Sequence, residues 1–350
     1  MKNENVFSLA LERKQPISSE LEAVTMADIA VIFDLFNYKF DNNVPGVELI
    51  KNYRKSKPVI NDEIDKIFSD LQESLAGANN HLDFYKIMYD HYTDFGVGMY
   101  GLNKAFRYNG DHIEAIKFIG NSSLEEIVGM DLQKEQLIAN TRDFIEGKMA
   151  NNVLLYGDAG TGKSSCIKGL LNRYYKDGLR IVEVYKHQFI ALPEIIQELQ
   201  SRNFKFILFM DDLSFEEFEI EYKYLKAVIE GGLEKKPDNV LIYATSNRRH
   251  LIKETWSDRE GDEVKVNDAL QEKLSLASRF GVTIYFGKPN KKEFFNIIDG
   301  LYLQYKCTMD KEKVYQEALK WEIRHGGFSG RTARQFMMNL ISQQQGDSNE

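Results

Sequence analysis

The stretch Gly157-Asp158-Ala159-Gly160-Thr161-Gly162-Lys163-Ser164 constrains this chain more than any other. It reads G-x-x-x-x-G-K followed by Ser or Thr, a pattern that needs a strand, a tight loop and a helix in that order. The apolar run Val153-Leu154-Leu155-Tyr156 precedes it as a buried strand would, and Ser165-Cys166-Ile167-Lys168-Gly169-Leu170-Leu171 follows as a helix-compatible run. Three glycines let the backbone turn until consecutive N–H groups face one anion. A helix beginning at about Lys163 adds N-terminal donors and partial positive charge. Lys163 places an ammonium on the β- and γ-phosphates, and the Ser164 hydroxyl takes a Mg2+ coordination site. The loop, with Ser165 just beyond it, predicts binding of a nucleoside triphosphate.

What flanks the loop agrees with that reading. Beyond it, strands at Leu179–Val184, Phe204–Met210, Val240–Thr245 and Gly281–Phe286 alternate with helices at Leu192–Leu199, with Pro193 in its first turn, and Tyr222–Gly231. Such alternation predicts a mostly parallel sheet with right-handed crossovers. A long amphipathic stretch, Leu132 to Glu146, precedes the loop strand, and from Lys291 the pattern turns helical in three pieces, 291–306, 310–325 and 329–343. Residues 1 to about 120 read as mostly helical. Ile64, Ile67, Phe68, Leu71 and Leu75 keep helical spacing, and Leu82, Tyr85, Met88, Tyr89 and Tyr92 form a stripe read as core. A turn signal at Asn109-Gly110-Asp111 marks a boundary. The division expected is a helical N-terminal domain at 1–112, a nucleotide-binding core at 113–288, a helical lid at 289–343 and a disordered tail at 344–350.

Gly96-Val97-Gly98-Met99-Tyr100-Gly101 matches the dinucleotide pattern G-x-G-x-x-G, but helical periodicity precedes it and no βαβ unit follows, so it reads as a flexible loop. Lys104-Ala105-Phe106-Arg107-Tyr108 interleaves basic and aromatic residues. A peptide or nucleic-acid contact fits it, and a solvated helix face fits it better. A net charge of −8 argues against wide non-specific nucleic-acid binding and leaves room for a local basic patch. Two cysteines, Cys166 and Cys307, give no disulfide framework. No apolar stretch approaches a membrane span of ~18 residues, and Met1-Lys2-Asn3-Glu4-Asn5 lacks a signal-peptide core, so a cytoplasmic protein with no membrane partner is expected.

A second tier of residues bears on chemistry. Asp211-Asp212 ends an apolar strand where its carboxyl end meets the phosphate loop. Asp211 would hold Mg2+ directly or through water, and Asp212 could polarise the attacking water; a pair of turn aspartates is the plainer alternative. Glu216 and Glu217 are rival bases, better suited to an outlying or surface position. Asn247, at the end of the next strand, can orient water against the γ-phosphate. Arg248-Arg249-His250 either faces a neighbouring subunit or is a basic loop. Arg279 stands immediately before the last strand. Arg331 opens the last helix, with Ser329 or Gly330 suited to its cap. Mobile or neighbour-supplied arginines stabilise charge on a transferred phosphoryl group.

Together these motifs resemble an AAA+ ATPase: Walker A at 157–164, Walker B at 206–212, sensor 1 at Asn247, arginine finger at Arg279 and sensor 2 at Arg331. More closely, the stretches 151–157, 209–217 and 243–251 resemble an uncharacterised bacterial family of AAA+ ATP-binding proteins that contain a domain of unknown function. The similarity is strong over about residues 115–342 and loose over the N-terminal third. The resemblance implies an α/β P-loop NTPase with an αβα core, a parallel sheet and a C-terminal helical lid. It also implies Mg2+ and ATP bound at a subunit boundary of a homo-oligomer, often a ring, with Val128 and Gly129 near the adenine. Most AAA+ proteins carry Asp-Glu where this chain has Asp211-Asp212, although bacterial replication initiators and helicase loaders of the superfamily also carry Asp-Asp. The expected function is ATP hydrolysis coupled to remodelling an unknown partner through the N-terminal domain. The alternatives are a weakly or non-hydrolysing ATP-dependent switch or scaffold, and a nucleic-acid loader, against which the acidic charge weighs.

Overall fold

In the computed structural model the described residues are 5–39, 62–117, 119–120, 123–215, 219–231, 237–248, 251 and 276–347. They divide into two compact units. The first holds residues up to Ala105 with Glu114–Ile119 and Ser201–Asn203; the second holds Phe106–Ile113, Gly120–Gln200 and Phe204 onward.

The first unit contains helices α1 (Val6–Glu12), α2 (Ser19–Phe36), α3 (Asp62–Ala76), α4 (His81–Phe95) and α5 (Gly98–Leu102). Polar residues start three of them: Asn5 and Ser8 form a capping box on α1, Ser18 caps α2 and Asn80 caps α4. Helix α4 packs against α1, α2 and α3. Its buried residue is Phe84, met edge-on by Phe33 and Phe36 of α2. The stripe expected as core is only half covered: Leu82 and Tyr89 are exposed, and Tyr85, Met88 and Tyr92 are intermediate, because the neighbouring helices close over the Phe84 side. The Gly96–Gly101 pattern is not the flexible loop expected. Gly96 caps α4 through Tyr92 O, Gly98 opens α5, and the Val97 N–H donates to the buried Glu12 carboxylate at 2.8 Å.

Seven strands form one sheet: β1 (Ala105–Tyr108), β2 (Ile113–Ala115), β3 (Val153–Gly157), β4 (Leu179–Glu183), β5 (Lys205–Met210), β6 (Val240–Ser246) and β7 (Val282–Phe286). Their order is β2-β1-β4-β5-β6-β3-β7, and β4–β5, β5–β6, β6–β3 and β3–β7 pair in parallel. Every residue of β6 is buried, which requires cover on both faces and explains its continuous apolar run. The stretch read as a helix face, 104–108, is instead strand β1, with Ala105, Phe106 and Tyr108 inward. The Asn109-Gly110-Asp111 signal is the turn between β1 and β2, where Asn109 Oδ1 accepts from the Asp111 and His112 N–H groups at 3.1 Å.

Four helices accompany the parallel strands: α6 (Asp131–Ile145), α7 (Lys163–Tyr174), α8 (Leu192–Gln200) and α9 (Glu221–Glu230). Three more follow the sheet, α10 (Lys291–Gln304), α11 (Lys311–Arg324) and α12 (Gly330–Asp347), around a core that includes Phe294, Ile298, Val314, Ala318 and Met337. Helix α12 runs through Gln344 to Asp347 rather than ending at 343. Of the two caps considered for it, Ser329 serves, its Oγ accepting from Thr332 N at 3.0 Å. The second unit is therefore an α/β P-loop fold with a C-terminal helical lid, the class expected from the sequence. No helix among the described residues is long and apolar enough to cross a membrane.

Candidate nucleotide site

Strand register assembles the site. Met210 lies opposite Ala244, so Asp211 leaves β5 beside Thr245; Tyr156 lies opposite Ser246, so the loop after β3 leaves beside Asn247. The loop then crosses to α7, whose first residue is Lys163. Gly157 has φ +134, and a Cβ there would stand 2.1 Å from Phe286 O, so only glycine fits against β7.

Two short networks result. Ser164 Oγ donates to Asp211 Oδ1 at 2.5 Å, and Thr245 Oγ1 donates to the same oxygen at 2.6 Å. Thr245 Oγ1 also accepts from the Asp212 N–H at 2.9 Å. Asn247 joins the other pair: its Nδ2 donates to Asp212 Oδ1 at 2.7 Å, and its Oδ1 accepts from Lys163 Nζ at 3.0 Å. Lys163 Nζ also donates to Gly157 O at 2.9 Å and Asp158 O at 2.7 Å. Asp212 sits at φ 52, in the left-handed region that aspartate tolerates better than most residues. Burial pushes the Lys163 ammonium below its ordinary pKa; the carboxylates of Asp158, Asp212 and Asp211 act in the opposite direction.

These groups open onto a cavity of about 990 Å3. Ala159 to Ser165, Asp211, Asp212, Asn247, Val128, Gly129 and Arg331 all line it. Arg331 reaches it because its backbone N–H donates to Gly160 O at 3.1 Å, seating the start of α12 on the phosphate loop. Gly157 and Asp158 line a smaller neighbouring cavity of about 420 Å3 with Tyr156, Tyr285 and Asn247. Arg279 lines neither; its guanidinium is ion-paired with Glu230 at the end of α9. Glu216, Glu217, Arg249 and His250 fall outside the described residues, as does 252–275.

A metal here would have few protein ligands. Among the described residues no group of three His, Cys, Asp or Glu side chains is placed to hold an ion. The Ser164 hydroxyl and Asp211 carboxylate are hard oxygen donors side by side, which suits Mg2+ completed by phosphate oxygens and water.

Sequence reasoning missed several contributors. Thr245 connects the two aspartates, and only the β5–β6 register reveals that. Arg334 lines the cavity one turn after Arg331, and Ile297 and Leu301 bring α10 to its wall. Gly300 admits Val128 so closely that a Cβ would lie 2.3 Å from Val128 Cγ2. A lone glycine inside a helical pattern was the available signal.

Comparison with known proteins adds the following. Residues 102–344 match the family described as "Protein of unknown function (DUF815)". The chain is 24% identical over 315 residues to the chaperone protein ClpB of Rickettsia typhi, covering 85% of this chain and 31% of that protein, so it spans about a third of that relative's length. Among solved structures, a mutant of Thermotoga maritima RuvB aligns over 63% of this chain and 65% of its own, with 17% identity and a TM-score of 0.42. The T. maritima RuvB Holliday junction branch migration motor aligns over 63% and 72%, with 14% identity and a TM-score of 0.36.

Proposed function

The chain belongs to the DUF815 family, and we propose that this member is an AAA+ ATPase that binds Mg–ATP and hydrolyses it to ADP. The observation that carries the reading is the convergence of Lys163, Ser164, Asp211, Asp212, Asn247 and Arg331 on one cavity. Ser164 and Asp211 would hold Mg2+, which supplies charge neutralisation at the β- and γ-phosphates. Lys163 would exchange its carbonyl partners for phosphate oxygens. Asp212 and Asn247, already hydrogen-bonded to each other, would orient water. Arg331 would contact the γ-phosphate from the lid of the same chain. Val128, under α10, would border the adenine. Arg279, paired outside its own cavity, would complete the site of a neighbouring copy in a homo-oligomer, a ring among the forms this could take. Turnover would then move lid against core and act on a partner through the N-terminal unit, in the cytoplasm. Likeness to a chaperone fits a remodelling role.

A second reading, a switch that binds ATP and scarcely hydrolyses it, is favoured by the short Asp212 side chain and its engagement with Asn247. Titration with ATP and Mg2+, followed by turnover assays against Lys163→Ala, separates the two. Phosphate release above that blank supports the ATPase. Saturable binding without release supports the switch. Absence of binding to the wild-type chain overturns both.

A further inference from the structure

Arg279 and Glu230 form an ion pair outside the nucleotide cavity. Glu230 is the last residue of α9, where the helix dipole already presents partial negative charge. Its carboxylate adds a full charge at the same place, and Arg279 Nη1 is bound to it. Both side chains are about one-third exposed, at 32% and 35%. The seat is therefore anionic but open to exchange. Among the described residues, Arg279 Nε is buried and has no hydrogen-bond partner. A buried N–H without an acceptor is rare in a settled structure and costs free energy while it lasts. Arg279 is thus held by one arm, with another donor unsatisfied among the described residues, and it does not line the cavity of its own chain.

We propose that Glu230 is a resting counter-anion for Arg279, which it surrenders when a second copy of this chain presents a triphosphate. The inference rests on the assignment of Arg279 to a neighbour's site. Carboxylate and phosphate offer the planar guanidinium the same two-pronged oxygen geometry, so one replaces the other without a change of donor chemistry. The segment that leaves β5 at Asp211-Asp212 ends at Glu230, so one crossover carries both the water-orienting carboxylate of its own site and the group that restrains the arginine destined for the next. Glu230 is a positioning residue on this account, and it opposes assembly.

Glu230→Gln keeps shape and removes the charge. Turnover per protomer and Mg–ATP-dependent self-association by sedimentation are measured across protein concentration, with ATP affinity as the control for folding. The expected result is a half-saturating protein concentration lowered about two- to five-fold, the scale of a partly exposed ion pair. Plateau turnover stays within about two-fold on the same scale, and no effect of Glu230→Gln remains on an Arg279→Ala background. An unchanged or raised half-saturating concentration, or an effect that persists without Arg279, overturns the proposal. If the wild-type chain does not self-associate with Mg–ATP and Arg279→Ala leaves turnover intact, the neighbour role of Arg279 itself fails.

Discussion

Asn247 is bonded at the same time to Lys163, from which its Oδ1 accepts at 3.0 Å, and to Asp212, to which its Nδ2 donates at 2.7 Å. One amide thus ties the residue that would hold phosphate to the residue that would direct water. Asn247→Ala removes the tie without touching the loop backbone. ATP affinity is expected to hold while turnover falls about 100-fold, the usual loss of one oriented polar group at a reacting centre. Equal losses of affinity and turnover would show that Asn247 supports the loop and not the water.

Thr245 makes a separate prediction about stability and metal. Thr245→Val keeps the side-chain shape, strands the Asp212 N–H and frees Asp211 Oδ1 of one donor. A cost of about 1 to 3 kcal/mol in denaturant unfolding is expected, together with a higher Mg2+ concentration for half-maximal ATP binding. Unchanged unfolding would mean that water replaces the hydroxyl.

The lid is fastened by a close approach. A Cβ at Gly300 would meet Val128 Cγ2 at 2.3 Å, whereas one at Gly120 would meet no described residue within 4 Å. Gly300→Ala is expected to cost about 1 to 3 kcal/mol through overpacking and to weaken ATP binding, because Val128 lines the cavity. Gly120→Ala serves as the neutral comparison. Equal behaviour of the two variants in unfolding and binding assays would refute the fastening.

Lys163 gives the pH dependence. Burial holds its pKa below the ordinary 10.5, so between the folded-state value and 10.5 the unfolded chain carries more protons than the folded one. Stability therefore rises with pH across that interval. Triphosphate binding should weaken over the same interval as the ammonium is lost. Lys163→Met should reduce the alkaline rise in stability, measured by denaturant titration at a series of pH values, leaving the share of Lys205, whose pKa burial also lowers. A rise of the same size in the variant would assign it to another group.

What the sequence could and could not reveal follows from how local each signal is. The loop from Gly157 to Ser164 is contiguous, so a linear pattern identifies its residues. The buried strands β5 and β6 announce themselves as unbroken apolar runs. Helix α2 does not: Val24, Val31, Ile32, Leu35 and Phe36 are exposed and only Thr25 and Ile29 are buried, so its apolar residues mark no single face. Strand β1 reads as a solvated helix face because Lys104 before it and Arg107 within it are charged, although Lys104 is itself buried. The roles of Thr245 and Gly300 depend on strand register and on the lid's closeness to Val128, and neither is written in a linear motif.

The first unit contains an ion pair that neither motif nor periodicity announces. Glu12 is 1% exposed and Arg202 9%, with Arg202 Nη1 at 3.3 Å from Glu12 Oε1. The second carboxylate oxygen accepts from the Val97 N–H at 2.8 Å, and the guanidinium lies over the Tyr100 ring at 4.7 Å. Breaking a buried pair from one side takes the counter-ion from the charge that remains, at a cost of about 3 to 5 kcal/mol. Arg202→Met should therefore destabilise the first unit by that order in denaturant unfolding. Glu12→Gln combined with Arg202→Met removes both charges and leaves Val97 an acceptor, so the double variant should be more stable than Arg202→Met alone. A double variant no more stable than the single one would mean that the guanidinium contributes by packing on Tyr100 and not by its charge.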